Sequence, residues 1–197
     1  MTKPFAESCE ENKQVILETL QGLFQQPGRV LELGSGTGQH AVFFAEQLPH
    51  LDWQPTDRSE YLKGIQCWLD DCALENILPL KCLDVSQSDW SIEPVDYVFS
   101  ANTVHIMSWP HVENLFDGLG SVMNRQAIFA LYGPFNYNGS YTSESNARFD
   151  QWLKQRDPLS GIRDLTDLDR LAERAGLRRI DDIEMPANNR ILVWEKL

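Results

Sequence analysis

The chain has 197 residues, of which 42% are hydrophobic and 23% charged, and its formal net charge is −12. That length suits one domain, residues 1–197, around a single large core, and the composition is that of a globular protein rather than a disordered chain. The acidic balance weighs against a nucleic-acid partner, which needs a lysine- and arginine-rich face, and no apolar run reaches the roughly eighteen residues of a membrane span.

Residues 1–8 lack the apolar core of a signal peptide. The four cysteines, Cys9, Cys67, Cys72 and Cys82, form neither a C-x-x-C pair nor a zinc-spaced set with histidine. No metal site is expected, and a cytoplasmic protein with reduced thiols is. Cys9, in a polar segment, is the one thiol to watch for reactivity. Residues 7–25 have helical spacing, with Val15, Ile16, Leu20, Leu23 and Phe24 on one stripe, and Pro27-Gly28 ends the helix. Two readings stand for this helix. It packs on the core, or Ser8, Glu10 and Asn12 also close over a ligand.

Residues 29–40 organise the rest. Val30, Leu31 and Leu33 read as a buried strand, and Gly34, Gly36 and Gly38 follow at alternate positions. Ala41 to Ala45 then continue with helical spacing. Glycine admits positive φ and removes the Cβ that would block a ligand, and a helix N-terminus presents unpaired N–H groups. A dinucleotide fingerprint is G-x-G-x-x-G. Here the pattern is Glu32-x-Gly34-x-Gly36-x-Gly38, with Ser35 and Thr37 between the glycines. The carboxylate disfavours a neighbouring pyrophosphate and favours a ligand with a cationic end. The stretch resembles motif I of class I S-adenosylmethionine-dependent methyltransferases, whose cofactor carries a sulfonium and an ammonium.

The helix after the turn runs to about Leu48. Residues 51–57 form the second strand and end on Asp57, 19 positions after Gly38. A doubly wound fold places there the carboxylate that takes ribose hydroxyls, and two hydroxyls can make charge-assisted bonds to it. Ser59 is expected to cap the next helix, whose stripe is Tyr61, Leu62, Ile65, Trp68, Leu69, Cys72 and Leu74. Residues 78–83 read as a third strand, followed by Asp84-Val85. By the methyltransferase resemblance, Asp84 accepts from the adenine amino group and the Val85 N–H meets a ring nitrogen.

Residues 95–100 form the fourth strand and lead into Asn102, His105 and Trp109. Parallel strands share direction, so this segment leaves the same sheet edge as the glycine turn. The resemblance points the sulfonium methyl there and gives Asn102 the methionine end of the cofactor. His105, with a pKa near neutrality, suits a general base or an acceptor-orienting group. A structural histidine under Trp109 is the other reading. His40, His50 and His111 look like surface or helix-terminal residues.

A helix over residues 109–124 precedes a fifth strand over 126–132, ending at Tyr132, a second candidate for taking a proton. The aromatic and amide-rich stretch from Gly133 reads as a lid or acceptor loop over 133–163, with a helix over 147–154 within it. Tyr137 and Asn146 are expected substrate contacts. Arg163 suits a substrate carboxylate or phosphate, or a salt bridge to Asp164 or Asp150. Thr166 is expected to cap a helix ending at Gly176. Residues 177–185 and 190–195 then form a closing hairpin whose turn uses Asn188 and Asn189. Arg174, Arg178 and Arg179, interleaved with acids, read as a solvated face.

The expected fold is α/β: a Rossmann-like class I methyltransferase fold with a seven-stranded, mostly parallel sheet, a C-terminal antiparallel hairpin and helices on both faces. Most of the chain resembles a more specific family, methyltransferase-like protein 26. The strings that carry this are Pro4-Phe5-Ala6-Glu7-Ser8-Cys9-Glu10, Gly34-Ser35-Gly36-Thr37-Gly38-Gln39-His40, Trp53-Gln54-Pro55-Thr56-Asp57, Tyr132-Gly133-Pro134-Phe135, Gly161-Ile162-Arg163-Asp164 and Met185-Pro186-Ala187-Asn188-Asn189. Where this chain has Thr56-Asp57, serine-aspartate is expected in many relatives; the hydroxyl and the acid are kept. The resemblance implies S-adenosyl-L-methionine as cofactor and supplies no acceptor. The expected function is methyl transfer to a small-molecule acceptor. The rivals are a non-catalytic cofactor-binding module serving a partner protein and a nicotinamide-dependent oxidoreductase. Oligomeric state is not legible.

Overall fold

The structure, a computed structural model, describes residues 3–197. Seven strands form one sheet in the order β3-β2-β1-β4-β5-β9-β8, and two short strands form a second, β6-β7. The main sheet is parallel at β3, β2, β1 and β4 and antiparallel at its C-terminal strands. The chain divides into two compact units. One holds the described residues up to Asp84 together with Val95–Ser100; the other holds Val85–Pro94 and Ala101–Leu197.

In the first unit α1 (Glu7–Leu23) precedes β1 (Gly28–Leu33), α2 (Gln39–Gln47), β2 (Leu51–Asp57), α3 (Leu62–Asp70) and β3 (Lys81–Cys82), and β4 (Val95–Ala101) returns to it. β1 pairs in parallel with β2 on one side and β4 on the other. Being covered on both faces, it buries Val30, Leu31, Glu32 and Leu33 alike. The core is aromatic. The Phe44 ring meets Trp53 at 5.5 Å and Phe99 edge-on at 5.3 Å. Helix α1 buries Ile16, Leu17 and Leu20 on one stripe.

Two expectations change here. The third strand shrinks to Lys81–Cys82, because Pro79 has no N–H to give a ladder. Only an isolated bridge from Trp53 to Ile77 extends the pairing among the described residues. Ser59 does not cap α3, which starts three residues later at Leu62 without a side-chain cap.

In the second unit α4 (Trp109–Val122) leads into β5 (Met123–Gly133), β6 (Phe135–Asn136), α5 (Glu144–Arg156), β7 (Arg163–Asp164), α6 (Leu165–Arg174), β8 (Leu177–Met185) and β9 (Asn189–Lys196). β9 lies antiparallel between β5 and β8. Its Trp194 stacks on Phe129 of β5 at 5.5 Å and takes the edge of Phe116 from α4 at 5.7 Å. Residues 133–163 are folded along their length. β6 pairs with β7, and α5 crosses between them, longer than expected because Ser143 caps it by accepting the Asn146 N–H.

Asp150 ties this excursion together. It is 1% exposed, and it accepts the Ile162 N–H, the Tyr141 hydroxyl and the Lys154 ammonium at 2.7, 2.7 and 2.6 Å. Burial works against its charge, yet these donors hold its carboxyl below the ordinary range. At the start of α6 the cap is Asp164, which accepts the Thr166 N–H, rather than Thr166 itself. In the hairpin turn the positive φ values fall on Ala187 and Asn188, and Asn189 is already extended. Arg174, Arg178 and Arg179 each reach a carboxylate on the surface, as a solvated face would.

Candidate active site

Motif I lies at the carboxyl end of β1. Gly34, Gly36 and Gly38 all take positive φ, at 73°, 60° and 91°, so the glycines are required by the backbone. They differ in what faces them. A Cβ on Gly36 meets nothing within 4 Å, whereas one on Gly38 stands 3.2 Å from the Ile65 backbone and Trp68. Gly36 therefore fronts open space. Gly38, buried at the N-cap of α2, lets α3 approach closely.

Two carboxylates flank the turn. Asp57 Oδ2 accepts the Gly36 N–H and Oδ1 the Arg58 N–H, both at 2.7 Å. Burial raises its pKa against these two bonds. Each oxygen keeps a lone pair for a further donor. Glu32 is 2% exposed, and its Oε2 accepts from the Ser35 hydroxyl at 2.8 Å and the Trp53 indole at 3.1 Å. Burial pushes its pKa up to about 7, with Asp57 adding to the rise and the two donors opposing it. Such a group ionises readily once a cation is beside it. The Thr56 hydroxyl donates to the Glu32 carbonyl at 2.6 Å, the Ser35 N–H to the Thr56 carbonyl at 2.9 Å, and the Ser100 hydroxyl to the Leu33 carbonyl at 2.7 Å. The turn is thus fixed on both sides by strand-end hydroxyls.

The N-terminal segment is bolted to this turn through Gln39, which motif reading missed. Gln39 Oε1 accepts the Ala6 N–H at 2.6 Å and the Thr37 hydroxyl at 2.9 Å, while Nε2 donates to Glu10 Oε1 at 2.8 Å and to the Ala6 carbonyl at 3.3 Å. Pro4 packs against Gly64, and its carbonyl accepts the Trp68 indole N–H at 2.7 Å. Asn12 faces inward and bonds His40 Nε2 at 2.8 Å. His40 is therefore helix-terminal but not on the surface. At 6% exposure, burial lowers its pKa to about 4. Cys9 is half-buried beside Thr37, and burial raises its thiol to about 11, the opposite of a reactive thiolate.

In the second unit Asn102 takes φ +58°, and its N–H donates to the Tyr132 carbonyl at 2.9 Å. Tyr132 is 4% exposed. His105 is 5% exposed, and its Nδ1 is buried without a hydrogen-bond partner. Its carbonyl accepts the Gly161 N–H at 2.8 Å, and the Phe149 ring meets the imidazole edge-on at 5.4 Å. Burial, helped by the Arg163 cation, lowers its pKa to about 4, so the ring is neutral near pH 7. Asp84, which has a partner of its own, and Val85 follow β3 and are half-buried.

The three expected substrate contacts are engaged within this unit. Arg163 donates to the carbonyls of Val104, Met107 and Leu159 rather than to Asp164 or Asp150, and so holds the His105 loop. The Tyr137 hydroxyl donates to both Asp182 oxygens, at 2.8 and 3.0 Å, and burial with that bond raises its pKa to about 12. Asn146 is buried, donating to the Thr142 hydroxyl and the Asn188 carbonyl. Among the described residues no group of three or more His, Cys, Asp or Glu side chains is placed to hold a metal ion, and no helix is long and apolar enough to cross a membrane.

Solved structures share this fold. An O-methyltransferase family protein from Burkholderia thailandensis matches with a TM-score of 0.83 at 11% identity, covering 96% of this chain and 57% of that one. An O-methyltransferase family 2 protein from Planctomyces limnophilus, in complex with apigenin, matches at 0.76 and 15%, covering 95% and 62%. Human N-acetylserotonin methyltransferase, in complex with SAM, matches at 0.79 and 16%, covering 96% and 53%. The chain spans less than two thirds of each of these proteins. At such identities the likeness establishes the fold, that of the class I methyltransferases. A family model described as a protein of unknown function, DUF938, matches residues 3–196, and the chain belongs to that family.

Proposed function

We propose that the protein is an S-adenosylmethionine-dependent methyltransferase acting on a small-molecule acceptor. The observation that carries this reading is the pair of carboxylates at one glycine turn, Asp57 bonded to the Gly36 N–H and Glu32 buried behind Ser35. Asp57 suits ribose hydroxyls, since each of its oxygens keeps an acceptor site. Glu32 suits the cationic amino-acid end, since its carboxyl is poised to ionise beside a positive charge. The open face of Gly36 admits a ligand against the backbone. The cofactor, when bound, supplies a methyl group activated by a sulfonium. The resemblance to methyltransferase-like protein 26 supports the same cofactor, with Asp84 and Val85 as its adenine contacts, and the solved methyltransferases with this fold support the chemistry. His105, neutral and buried, is the group proposed to take the acceptor's proton. The net charge of −12 supports a small acceptor over a nucleic acid.

Calorimetric titration of the full chain with S-adenosylmethionine and S-adenosylhomocysteine tests this. Micromolar binding is expected. Asp57→Asn, which keeps the size and halves the acceptors, is expected to weaken binding roughly tenfold to a hundredfold, as the loss of hydrogen bonds to a charged group predicts. An unchanged affinity in that variant, or no binding by the wild type, overturns the reading. Binding without transfer to any metabolite pool supports a non-catalytic cofactor-binding module instead.

A further inference from the structure

Two separate routes lead from residues 3–6 into the glycine turn, and both lie within the first unit. The first runs through Gln39, which is 2% exposed. Both ends of its amide grip one residue, with Oε1 accepting the Ala6 N–H and Nε2 donating to the Ala6 carbonyl. The same Oε1 accepts the Thr37 hydroxyl, so the grip reaches the residue between Gly36 and Gly38. The second route runs through Trp68 of α3. Its indole N–H donates to the Pro4 carbonyl, and its ring lies under the Lys3 ammonium, 3.7 Å from the ring centroid. Its Cβ stands 3.2 Å from the place a Cβ on Gly38 would take.

A bare position marks where this segment lands. Gly64 lies within α3 and outside the left-handed region, so its conformation does not call for glycine. Helix propensity would favour alanine there. A Cβ on Gly64 would stand 2.9 Å from Pro4 Cγ, a separation that forces one of them to move. The helix forgoes the better residue and admits Pro4. The attachment is nonetheless a light one. Phe5, between the two held residues, is 65% exposed, and the Lys3–Asp71 ion pair lies at the surface, where such pairs contribute little. A terminal segment held by a few hydrogen bonds with its apolar ring in water can open without global unfolding.

We propose that residues 3–6 are a detachable strap that holds the glycine turn in its ligand-binding shape, with Gln39 as the positioning residue. This rests on the S-adenosylmethionine reading above and adds a regulation of that site. The strap acts through Thr37 and Gly38 and leaves the open face of Gly36 to the ligand. Docked, it fixes Thr37 through Gln39 and steadies Trp68 against Gly38. Released, it gives up both holds together. Coupling between two binding events is reciprocal. The ligand on the turn therefore tightens the strap by the factor with which the strap tightens the ligand.

Two measurements on the full chain test this. Calorimetry gives the affinity for S-adenosylhomocysteine, and hydrogen exchange followed by NMR gives the protection of the Ala6 amide, free and with saturating ligand. In the wild type the ligand is expected to slow Ala6 exchange roughly 5- to 150-fold, the usual range of coupling between two sites. Gly64→Ala displaces Pro4 without altering a residue of the turn, and α3 tolerates it. Gln39→Ala cuts the other route. Each variant is expected to bind S-adenosylhomocysteine more weakly by about the factor seen in Ala6 exchange. A strap with a merely structural role lowers the melting temperature and leaves affinity alone. Wild-type affinity in either variant overturns the proposal, as does Ala6 exchange that the ligand leaves unchanged. Should Gln39→Ala fail to fold, Gly64→Ala decides. Wild-type binding that Asp57→Asn weakens and Gly64→Ala does not removes the strap alone; no binding by the wild type removes the methyltransferase reading and the strap with it.

Discussion

The two units differ in the buried polar atoms they leave without a partner, although both hold satisfied networks, at Glu32 in one and at Asp150 in the other. Around the glycine turn the chain supplies its own partners. Glu32, Ser35, Thr56 and Asp57 are bonded to one another or to the backbone, and Gln39, Asn12 and His40 fasten the N-terminal helix to the same place. In the second unit two buried atoms, His105 Nδ1 and Asn136 Oδ1, have no partner. A satisfied network keeps a fixed shape without its ligand, which suits a cofactor common to every turnover. The two unpartnered atoms lie apart in the chain, His105 in the loop that Arg163 holds and Asn136 in β6. Each half of this difference can be broken separately.

The strongest break is at Asp150, whose single carboxylate closes residues 133–163. Asp150→Ala removes the acceptor of the buried Ile162 N–H and of the Tyr141 hydroxyl. It is expected to destabilise the protein by about 3 kcal/mol, the scale of a broken buried charged network, read as a lowered urea midpoint. Asp150→Asn keeps one acceptor and is expected to lose about half as much. A loss under about 0.5 kcal/mol for Asp150→Ala, the level of an ordinary surface change, removes the claim that this residue organises the segment.

Glu32 sharpens the other half. Its pKa in the folded chain lies at about 7 against an ordinary 4.5. The protonated form therefore favours folding, and that contribution is present below pH 4.5 and lost as pH rises through 7. Glu32→Gln cannot ionise and keeps an oxygen for Ser35 and Trp53. Its stability relative to the wild type is expected to rise between about pH 5 and pH 8 by an amount on the order of 3 kcal/mol, since each pH unit separating the folded and unfolded pKa values is worth about 1.36 kcal/mol. Taking the difference between variant and wild type cancels His40 and His105, whose pKa values are lowered and which act with the opposite sign. Cofactor binding should run the other way. A cation beside Glu32 selects the ionised form, so wild-type affinity strengthens as pH rises through about 7, with proton release, while Glu32→Gln stays flat. A flat wild-type profile in calorimetry would separate Glu32 from the cofactor's cationic end.

These contrasts mark what sequence could reach. β2 was legible to its last residue, because Leu51, Trp53 and Pro55 alternate with polar residues up to the closing acid, and that alternation is local information. The alternate glycines were legible as a turn, but not that Gly36 fronts open space while Gly38 accommodates α3, since that depends on Ile65 and Trp68 from another element. Asn12 and His40 hide for the same reason. A polar residue on a helical stripe reads as exposed until its partner, 28 positions away, is known to face it. The Trp53 indole on Glu32 left a trace in strand parity, as a large residue two positions before the Glu32 partner Pro55. Gln39 left none. The lid reading of residues 133–163 rested on aromatic and amide content, and Asp150 turns that content into a folded excursion.

The smallest expected stability effect separates a glycine that the fold requires from one that it does not. Gly38→Ala places a Cβ at φ +91° and 3.2 Å from the Ile65 backbone. It should cost about 2 kcal/mol from the left-handed conformation and the crowded contact. Gly133→Ala places the same methyl group against three contacts of 3.7 to 3.9 Å, and its stability should stay within about 0.5 kcal/mol of wild type. Equilibrium urea unfolding of the two variants side by side reads both values. Equal costs would mean that the backbone requires Gly133 as well. A loss at Gly38 with none at Gly133 would show that positive φ and a close neighbour, rather than glycine as such, mark the position on which the turn depends.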